Sequence, residues 1–414
     1  MRILLLSHYF EPEDGAPQRR WHALLQRFVQ AGHEVHVICP PPHHPTGRMA
    51  ARHRKTAGKY RYRVTEYGAH IYRVSYLWHN GHIATRTLDH LWVAFASMRA
   101  AFALRLIRGF RPDVVIATAP GLPTLLAGHS VARLLRAPLV AEMRDAWPDL
   151  VSYTPGLVRG QGFIGRFKHL VHEKVTSLQQ TAAHVVTTTS GFAEVLRLRG
   201  IERVTVIRNG TLLRQYEALP PRESDHPELR VLYIGTIGRS QGLDVLLRAA
   251  SRLREAGLPA SVRIVGSGAD IPRLRRLNAQ LGHPVELMPQ VPASAVFDHY
   301  LWADTCVVSL RDWEPFSWTV PSKLYELLAA GRHISALVAG ESADLVIETA
   351  SGDVVSPGDD ESLARLWTEL IRDPSRLQRD GGGRAWIAEH VDFDRIAEQY
   401  LDLLDSVSER AAAY

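Results

Sequence analysis

Cysteine is nearly absent from this chain. Cys39 and Cys306 are the only two in 414 residues, and they stand far apart inside apolar runs. That excludes a disulfide scaffold and leads us to expect buried thiols in a reducing compartment. No secretory leader is expected either, because Arg2-Ile3-Leu4-Leu5-Leu6 gives way at once to polar Ser7 and His8. No apolar stretch reads as long enough to span a bilayer. Together these absences predict a cytoplasmic protein. Several catalytic signatures are also lacking. The first turn has no G-x-G-x-x-G, so a dinucleotide is not expected there. There is no G-x-S-x-G hydrolase elbow and no zinc-ligand spacing. The His43-His44 pair has Pro on both sides and no third ligand at a useful spacing, so no metal is expected.

One long stretch lacks acid. Between Glu34 and Glu66 there is no Asp or Glu, while Arg48, Arg52, Arg54, Lys55, Lys59, Arg61 and Arg63 all fall there. Tyr60, Tyr62, Tyr67, Tyr72, Tyr76 and Trp78 lie within it or just after. A basic run with interleaved aromatics suits an anionic membrane surface or a lipid-linked pyrophosphate, or is a solvated loop. Nucleic acid is not expected as a partner, since no recognition motif accompanies the charge. The formal net charge is +6.

What is present is an alternation of apolar strands and amphipathic helices. With 46% apolar and 22% charged residues the chain is an ordinary globular one, too long for a single comfortable core. Met1–Leu6 reads as a buried parallel strand. The loop Ser7–Pro17 carries Gly15, and Trp21, Leu24, Leu25, Phe28 and Val29 then repeat at helical spacing up to Gly32. Val35–Cys39 is the next strand, completing a Rossmann-type opening. An apolar helix is expected from Leu91 to Leu106. Leu139-Val140-Ala141 leads into Glu142-Met143-Arg144-Asp145-Ala146-Trp147-Pro148-Asp149, at the end of a short strand where crevice residues of open sheets sit. There Arg144 and Asp145 can clamp an acceptor and place its hydroxyl, or form a buried structural pair. Residues 211–228 are rich in Pro and charge without periodicity and mark a linker. The expected boundaries are therefore a first domain over 1–210, a linker over 211–228, a second domain over 229–390, and a terminal helix over 391–414.

The second half restarts the alternation. The strand Val231–Ile234 runs into the glycine loop Gly235-Thr236-Ile237-Gly238-Arg239-Ser240-Gln241-Gly242. Glycines let backbone approach an anion, and Arg239 can pair with a phosphate. The strand Cys306–Leu310 precedes Thr319–Arg332, whose Pro321, Ser322 and Lys323 open a short helix ended by Gly331. Ser322 is the expected cap. A helix N-terminus beyond a parallel strand, with Lys323 added, suits a diphosphate. Glu326, one turn in, suits a ribose diol, as acidic residues do in other nucleotide sites. An ordinary capped helix is the alternative.

PSKLYELLAAGR resembles the nucleotide-sugar stretch of the retaining glycosyltransferases of family 4, and the branch that builds cell-envelope polysaccharides has the same PSK-lyE pattern. The resemblance spans nearly the whole chain. It implies the GT-B fold, with two Rossmann-like domains facing across a cleft and a C-terminal helix crossing back to the first. In that family the second Glu of a Glu-x7-Glu signature holds the donor ribose, and Glu326 matches it. The first falls on Trp318, so that half of the signature is absent, and Glu314 is its nearest substitute at another spacing. The branch has Arg-Asp and then Trp-Pro where Arg144, Asp145, Trp147 and Pro148 stand. Other members carry His-Asp there. Gln241 occupies the place of a usual Lys, leaving Arg239 and Lys323 as the cationic pair.

By the same resemblance the activity is retaining, metal-independent transfer from a UDP- or GDP-linked sugar to a hydroxyl acceptor, either a lipid-linked glycan or a small-molecule aglycone. No cofactor is implied beyond the nucleotide sugar. Asp145, Arg239 and Lys323 are the catalytic candidates. Gly15, Gly238, Arg239, Gln290, Val291, Pro321, Ser322, Lys323, Leu324 and Glu326 are the donor-binding candidates, and Arg144 and Asp145 the acceptor-binding ones. A nucleotide-sugar epimerase on the same fold and a nucleotide-sugar-binding protein without turnover are the rival readings. Product analysis with and without acceptor separates the epimerase, and a binding protein would bind donor and release no nucleotide.

Overall fold

The computed structural model describes residues 1–13, 15–44, 47–49, 51–53, 57–58, 61–80, 82–150, 163–211, 213–216, 219–220 and 227–412. Arg54, Lys55, Lys59 and Tyr60 of the basic run lie outside them, and so does part of the expected linker. The chain divides into two compact units, Met1–Asn209 with Phe393–Tyr414, and Gly210–Asp392.

The first unit contains β1 (Arg2–Ser7), α1 (Ala16–Gln30), β2 (Glu34–Cys39), β3 (Tyr62–Val64), β4 (His70–Arg73), α2 (Ile83–Arg108), β5 (Val114–Thr118), α3 (Leu122–Leu135), β6 (Leu139–Met143), α4 (Phe163–Gln180), β7 (His184–Thr187), α5 (Ser190–Leu198) and β8 (Val204–Val206). Its sheet runs β3-β4-β2-β1-β5-β6-β7-β8. Among the described residues only the β3–β4 pair is antiparallel. Ile3, Leu4, Leu5 and Leu6 are wholly buried, as a central parallel strand covered on both faces requires. The strand order reverses between β1 and β5, which places the loops after these two strands side by side.

The second unit contains β9 (Leu229–Thr236), α6 (Asp244–Glu255), β10 (Ala260–Ser267), α7 (Ile271–Gln280), β11 (Glu286–Met288), α8 (Val296–Trp302), β12 (Thr305–Ser309), α9 (Glu314–Ser317), α10 (Ser322–Ala330), β13 (His333–Leu337), α11 (Glu341–Glu348), β14 (Gly352–Val355), α12 (Asp360–Arg372) and α13 (Gly382–His390). All its strands pair in parallel, in the order β11-β10-β9-β12-β13-β14. Its reversal falls between β9 and β12. The core under α6 and α12 is built from Leu246, Leu247, Leu363 and Trp367, and the Trp367 indole N–H donates to Ser335 Oγ at 3.2 Å.

The terminal helix α14 (Phe393–Ala412) belongs to the first unit, as expected of a helix that crosses back. Its stripe Phe393, Ile396, Ala397, Tyr400, Leu403, Leu404 and Val407 is buried at helical spacing. The Tyr400 ring packs 5.8 Å from both Trp21 and Phe28 of α1.

One expectation is corrected here. The helix expected over Leu91–Leu106 is α2, and its stretch Ala84–Arg108 is long and apolar enough, by length and composition, to cross a membrane. Polar His82, Thr85 and Arg86 at its start obscured its extent in the sequence.

A buried ion pair ties the first unit together. Arg20 Nε of α1 donates to Glu142 Oε1 at 3.0 Å, and both side chains are almost fully buried. Glu142 Oε2 accepts Thr118 Oγ1 at 2.6 Å. The remaining Arg20 nitrogens donate to the carbonyls of Ile207 and Arg208. Removing one partner leaves the other charged in a dry site, which costs about 3–5 kcal/mol. Chemical denaturation of Arg20→Ala and Glu142→Ala should show losses of that size, and losses near zero would refute a structural role for the pair.

Candidate functional site

The candidate site of the second unit is assembled at the carboxyl ends of β9 and β12. Gly235, the penultimate residue of β9, has φ +159°, and a Cβ there would lie 3.6 Å from Lys323 Cε. The Lys323 stem therefore lies across the turn that leaves β9. The neighbouring turn packs backbone on backbone. At Gly266 a Cβ would sit 1.9 Å from the Gly235 carbonyl oxygen, so no side chain fits there.

Arg311, which sequence reasoning missed, joins the two loops. Its N–H donates to Ser240 O at 2.8 Å, its Nε to Arg239 O at 2.7 Å and a terminal nitrogen to Asp244 Oδ1 at 3.0 Å. Asp244 also accepts from Arg273 and Arg248. Burial alone would raise the Asp244 pKa, but these guanidinium groups outweigh it and hold the carboxyl below its ordinary value. In sequence Arg311 is one more polar residue after a strand, and only the pairing of β12 beside β9 reveals its partners.

The expected cap is corrected. Pro321, not Ser322, is the N-cap residue of α10, and no side chain caps the helix. Proline fixes φ there and leaves Ser322 as the first helical residue. The Leu324 N–H is taken by Pro321 O at 2.8 Å, and the Leu324 side chain is fully buried. Ser322, Lys323 and Glu326 are half-buried along the rim. Gly331, at φ +68°, ends the helix.

Lys323 Nζ donates to Glu326 Oε2 at 2.6 Å, so the two polar groups expected to serve phosphate and ribose meet each other in the free protein. A partly exposed i,i+3 pair is worth only about 0.2–0.5 kcal/mol. Hydrogen bonds to a charged group contribute about 1.5–3 kcal/mol each. A diphosphate entering this rim can therefore draw Lys323 from Glu326 at little cost.

The other expected residues sit as follows. Gly238 donates its N–H to Gln241 Oε1 at 3.1 Å. Gln241 thus closes the glycine turn. Arg239 is exposed, with its carbonyl held by Arg311. Gln290 Oε1 accepts Ser267 Oγ at 2.6 Å, and Val291 is half-buried beside it in sequence. Trp318 follows α9 directly, and Glu314 is exposed at the start of that short helix.

In the first unit, Gly15 is the N-cap residue of α1, with extended backbone. The side chain of Gln18 folds over it and donates to Glu13, whose other oxygen accepts the N–H groups of His43 and His44. Arg144 is buried at the end of β6, and Asp145 next to it is exposed. Asp149 is held by Arg199 through two bonds of 3.0 and 2.6 Å, which tie it to the end of α5.

A buried cluster that the sequence did not reveal lies nearby. His8 from the end of β1, His43 from the loop after β2 and Asp89 of α2 have side-chain ligand atoms all within 4.8 Å of one another. His43 Nε2 lies 3.0 Å from Asp89 Oδ2 and its Nδ1 lies 2.7 Å from Pro41 O. Both neighbours are acceptors, so both ring nitrogens must donate and the ring is an imidazolium. Burial works against that charge, but the bonds to Asp89 and Pro41 prevail and raise the His43 pKa. His8 Nε2 lies 3.3 Å from the same Asp89 oxygen, and burial lowers the His8 pKa to about 4. Asp89 Oδ1 accepts the Leu77 N–H at 2.8 Å. Positions 8, 43 and 89 have no motif spacing, and only the sheet order brings them together.

Comparison with known proteins bears on both units. Residues 15–210 match the family described as glycosyl transferase 4-like domain, and residues 228–373 match glycosyl transferases group 1. The chain is 25% identical over 353 residues to the putative colanic acid biosynthesis glycosyl transferase WcaI of Escherichia coli K12, covering 80% of this chain and 82% of that protein. Among solved structures it resembles sucrose-phosphate synthase from Thermosynechococcus elongatus, with a TM-score of 0.74, 18% identity and 98% of each chain covered. It also resembles Anabaena HepE in complex with UDP-glucose, with a TM-score of 0.67, 16% identity, and 98% of this chain and 100% of that one covered.

The imidazolium assignment is testable through pH. Folded His43 holds its proton more tightly than an unfolded histidine, whose pKa is about 6.5. The stability that the His43–Asp89 pair contributes is therefore fully present below that value and is lost as pH rises through the folded pKa. The stability difference between the native protein and His43→Gln, measured by denaturation across a pH series, should shrink toward alkaline pH. A difference that grows with pH would contradict the ion pair.

Proposed function

This chain belongs to the GT-B glycosyltransferases, and on that premise we propose that it is a retaining enzyme of cell-envelope glycan assembly that needs no metal. It takes a hexose from a nucleoside-diphosphate sugar, with UDP as the favoured nucleotide. The acceptor is a hydroxyl of a lipid-linked glycan presented at the inner face of a membrane. The likeness to a colanic acid enzyme supports the glycan acceptor, and HepE, solved with UDP-glucose, supports the donor class.

The observation that carries the reading is Lys323 laid across the Gly235 turn at the uncapped start of α10. Cations and a helix N-terminus at that rim are what a departing diphosphate requires. As the bond between the anomeric carbon and the phosphate oxygen breaks, negative charge grows on the diphosphate. Lys323, Arg239 and the N-terminal dipole of α10 neutralise it. The acceptor oxygen bonds to the anomeric carbon on the same face, and its proton passes to the departing phosphate oxygen. Glu326, released from Lys323, accepts from the ribose diol. Arg144 and Asp145 in the first unit hold the acceptor hydroxyl. No protein nucleophile enters the scheme.

Nucleotide release from a panel of UDP- and GDP-sugars tests the reading. Lys323→Ala and Arg239→Ala should each lower kcat/KM by roughly 10²–10³, the range for one lost charge-stabilising group. Glu326→Ala should raise donor KM and lower turnover with the fold intact. Activity should persist in EDTA. A strict need for added Mg²⁺ or Mn²⁺, or unchanged kinetics in all three variants, would sink the assignment.

A further inference from the structure

The helix α2 presents an apolar face to solvent that the first unit does not use. Leu88, Leu91, Trp92, Phe95, Phe102 and Leu106 are 58%, 48%, 39%, 48%, 46% and 66% exposed. At helical spacing these six positions fall within an arc of about 100°. The opposite side carries the buried residues Asp89, Val93, Ala96, Ser97 and Leu104, which face the unit's core. Isolated exposed leucines are unremarkable, but a continuous stripe along one helix marks an interaction surface.

The charge on this helix has one sign wherever solvent reaches it. Arg99 and Arg108 are exposed and Arg86 and Arg105 half-exposed, while the single carboxylate, Asp89, is fully buried. Arg99 falls within the apolar arc itself, between Phe95 and Phe102. A long stem with a cationic tip is suited to that position where apolar tails meet phosphate groups, because the stem stays with the tails and the guanidinium reaches the phosphates. Leu77 and Trp78 are exposed too, in the segment whose Ser75 Oγ accepts the Trp92 indole N–H at 3.0 Å, and the Arg48 guanidinium lies 5.1 Å over the Trp78 ring. Apolar side chains, tryptophans and cations without exposed acid together complement an anionic lipid surface.

We infer that α2 is a membrane-docking helix that lies flat on an anionic bilayer with Leu88, Leu91, Trp92, Phe95, Phe102 and Leu106 in the interface. Length and composition alone would permit it to span. Its attachment to the domain does not. Asp89 is held by His8, His43 and the Leu77 N–H, and leaving that pocket would strand a carboxylate and two histidines in apolar surroundings. The helix therefore stays in the domain and offers only its outer side. This inference deepens the membrane part of the proposed function and does not depend on the donor site.

The experiment is vesicle flotation of the full chain with phosphatidylcholine alone and with phosphatidylcholine plus phosphatidylglycerol. The native protein should float with the anionic vesicles and not with the neutral ones, less so as salt is raised. Leu88→Glu/Phe95→Glu, both at exposed positions, should lower the partition coefficient by about tenfold or more, and Arg99→Glu should lower it most at low salt. Thermal unfolding and calorimetric UDP binding, run on every variant, should match the native protein. Loss of UDP binding in the native chain would overturn the donor reading and leave this one standing. A native protein that ignores anionic vesicles at low salt would overturn the inference, as would a Leu88→Glu/Phe95→Glu variant that floats normally. So would a native dimer, seen by sedimentation, that this variant converts to monomer without any lipid binding having occurred.

Discussion

Parallel strand pairing is the constraint from which the rest follows. A parallel strand satisfies its backbone only through its neighbours, so both faces must be covered by helices and every return path is a crossover. All carboxyl ends of such strands then lie along one rim. The candidate residues of the second unit stand on that rim: the Gly235 turn after β9, Gln290 after β11, and Lys323 beyond β12. In the first unit His8, His43 and Arg144 follow β1, β2 and β6 in the same way. The reversals in strand order, between β9 and β12 and between β1 and β5, open the gap that a ligand needs.

Electrostatics at the two rims differ in kind. In the second unit the important charges are loosely held. Lys323 and Glu326 share a short ion pair of low worth and are partly exposed, and Arg239 is exposed on a turn held by its backbone. Beneath them Arg311 ties the Arg239 carbonyl to Asp244. In the first unit the charges are deep and structural. Arg20–Glu142 anchors α1 to β6 and to the turn at Ile207 and Arg208, and His43–Asp89 anchors α2 to the loop after β2.

That last anchor explains how one helix meets two demands. Its inner side combines small buried residues, Val93, Ala94 and Ala96, with the polar contact of Asp89 to His43. Its outer side carries large apolar residues of the sort usually spent on a core. An amphipathic reading of the sequence fails here, since both sides of α2 are apolar and burial cannot be assigned from period alone. The glycine at Gly109, with φ +64°, and the buried Phe110 bring the chain back to β5 after this helix.

Local pattern by itself determined much of this protein. Apolar runs such as Ile3–Leu6 and Cys306–Leu310 marked buried strands, because a strand covered on both faces has no polar alternation to hide it. The stripe of α14 and the Gly331 stop were legible for similar reasons of period and left-handed φ. The family likeness was legible in PSKLYELLAAGR, where proline, lysine and glutamate stand at fixed spacing on one short helix. What needed the tertiary structure was every relation between residues distant in sequence. His8, His43 and Asp89 come from three elements, Arg311 closes a loop on Arg239 across the strand reversal, and Arg20 finds Glu142 from 122 residues away. Within one helix or strand the side-chain period sets neighbours in advance. Across elements the neighbours are set by sheet order and register, which come from packing the whole unit and leave no spacing in the sequence to read.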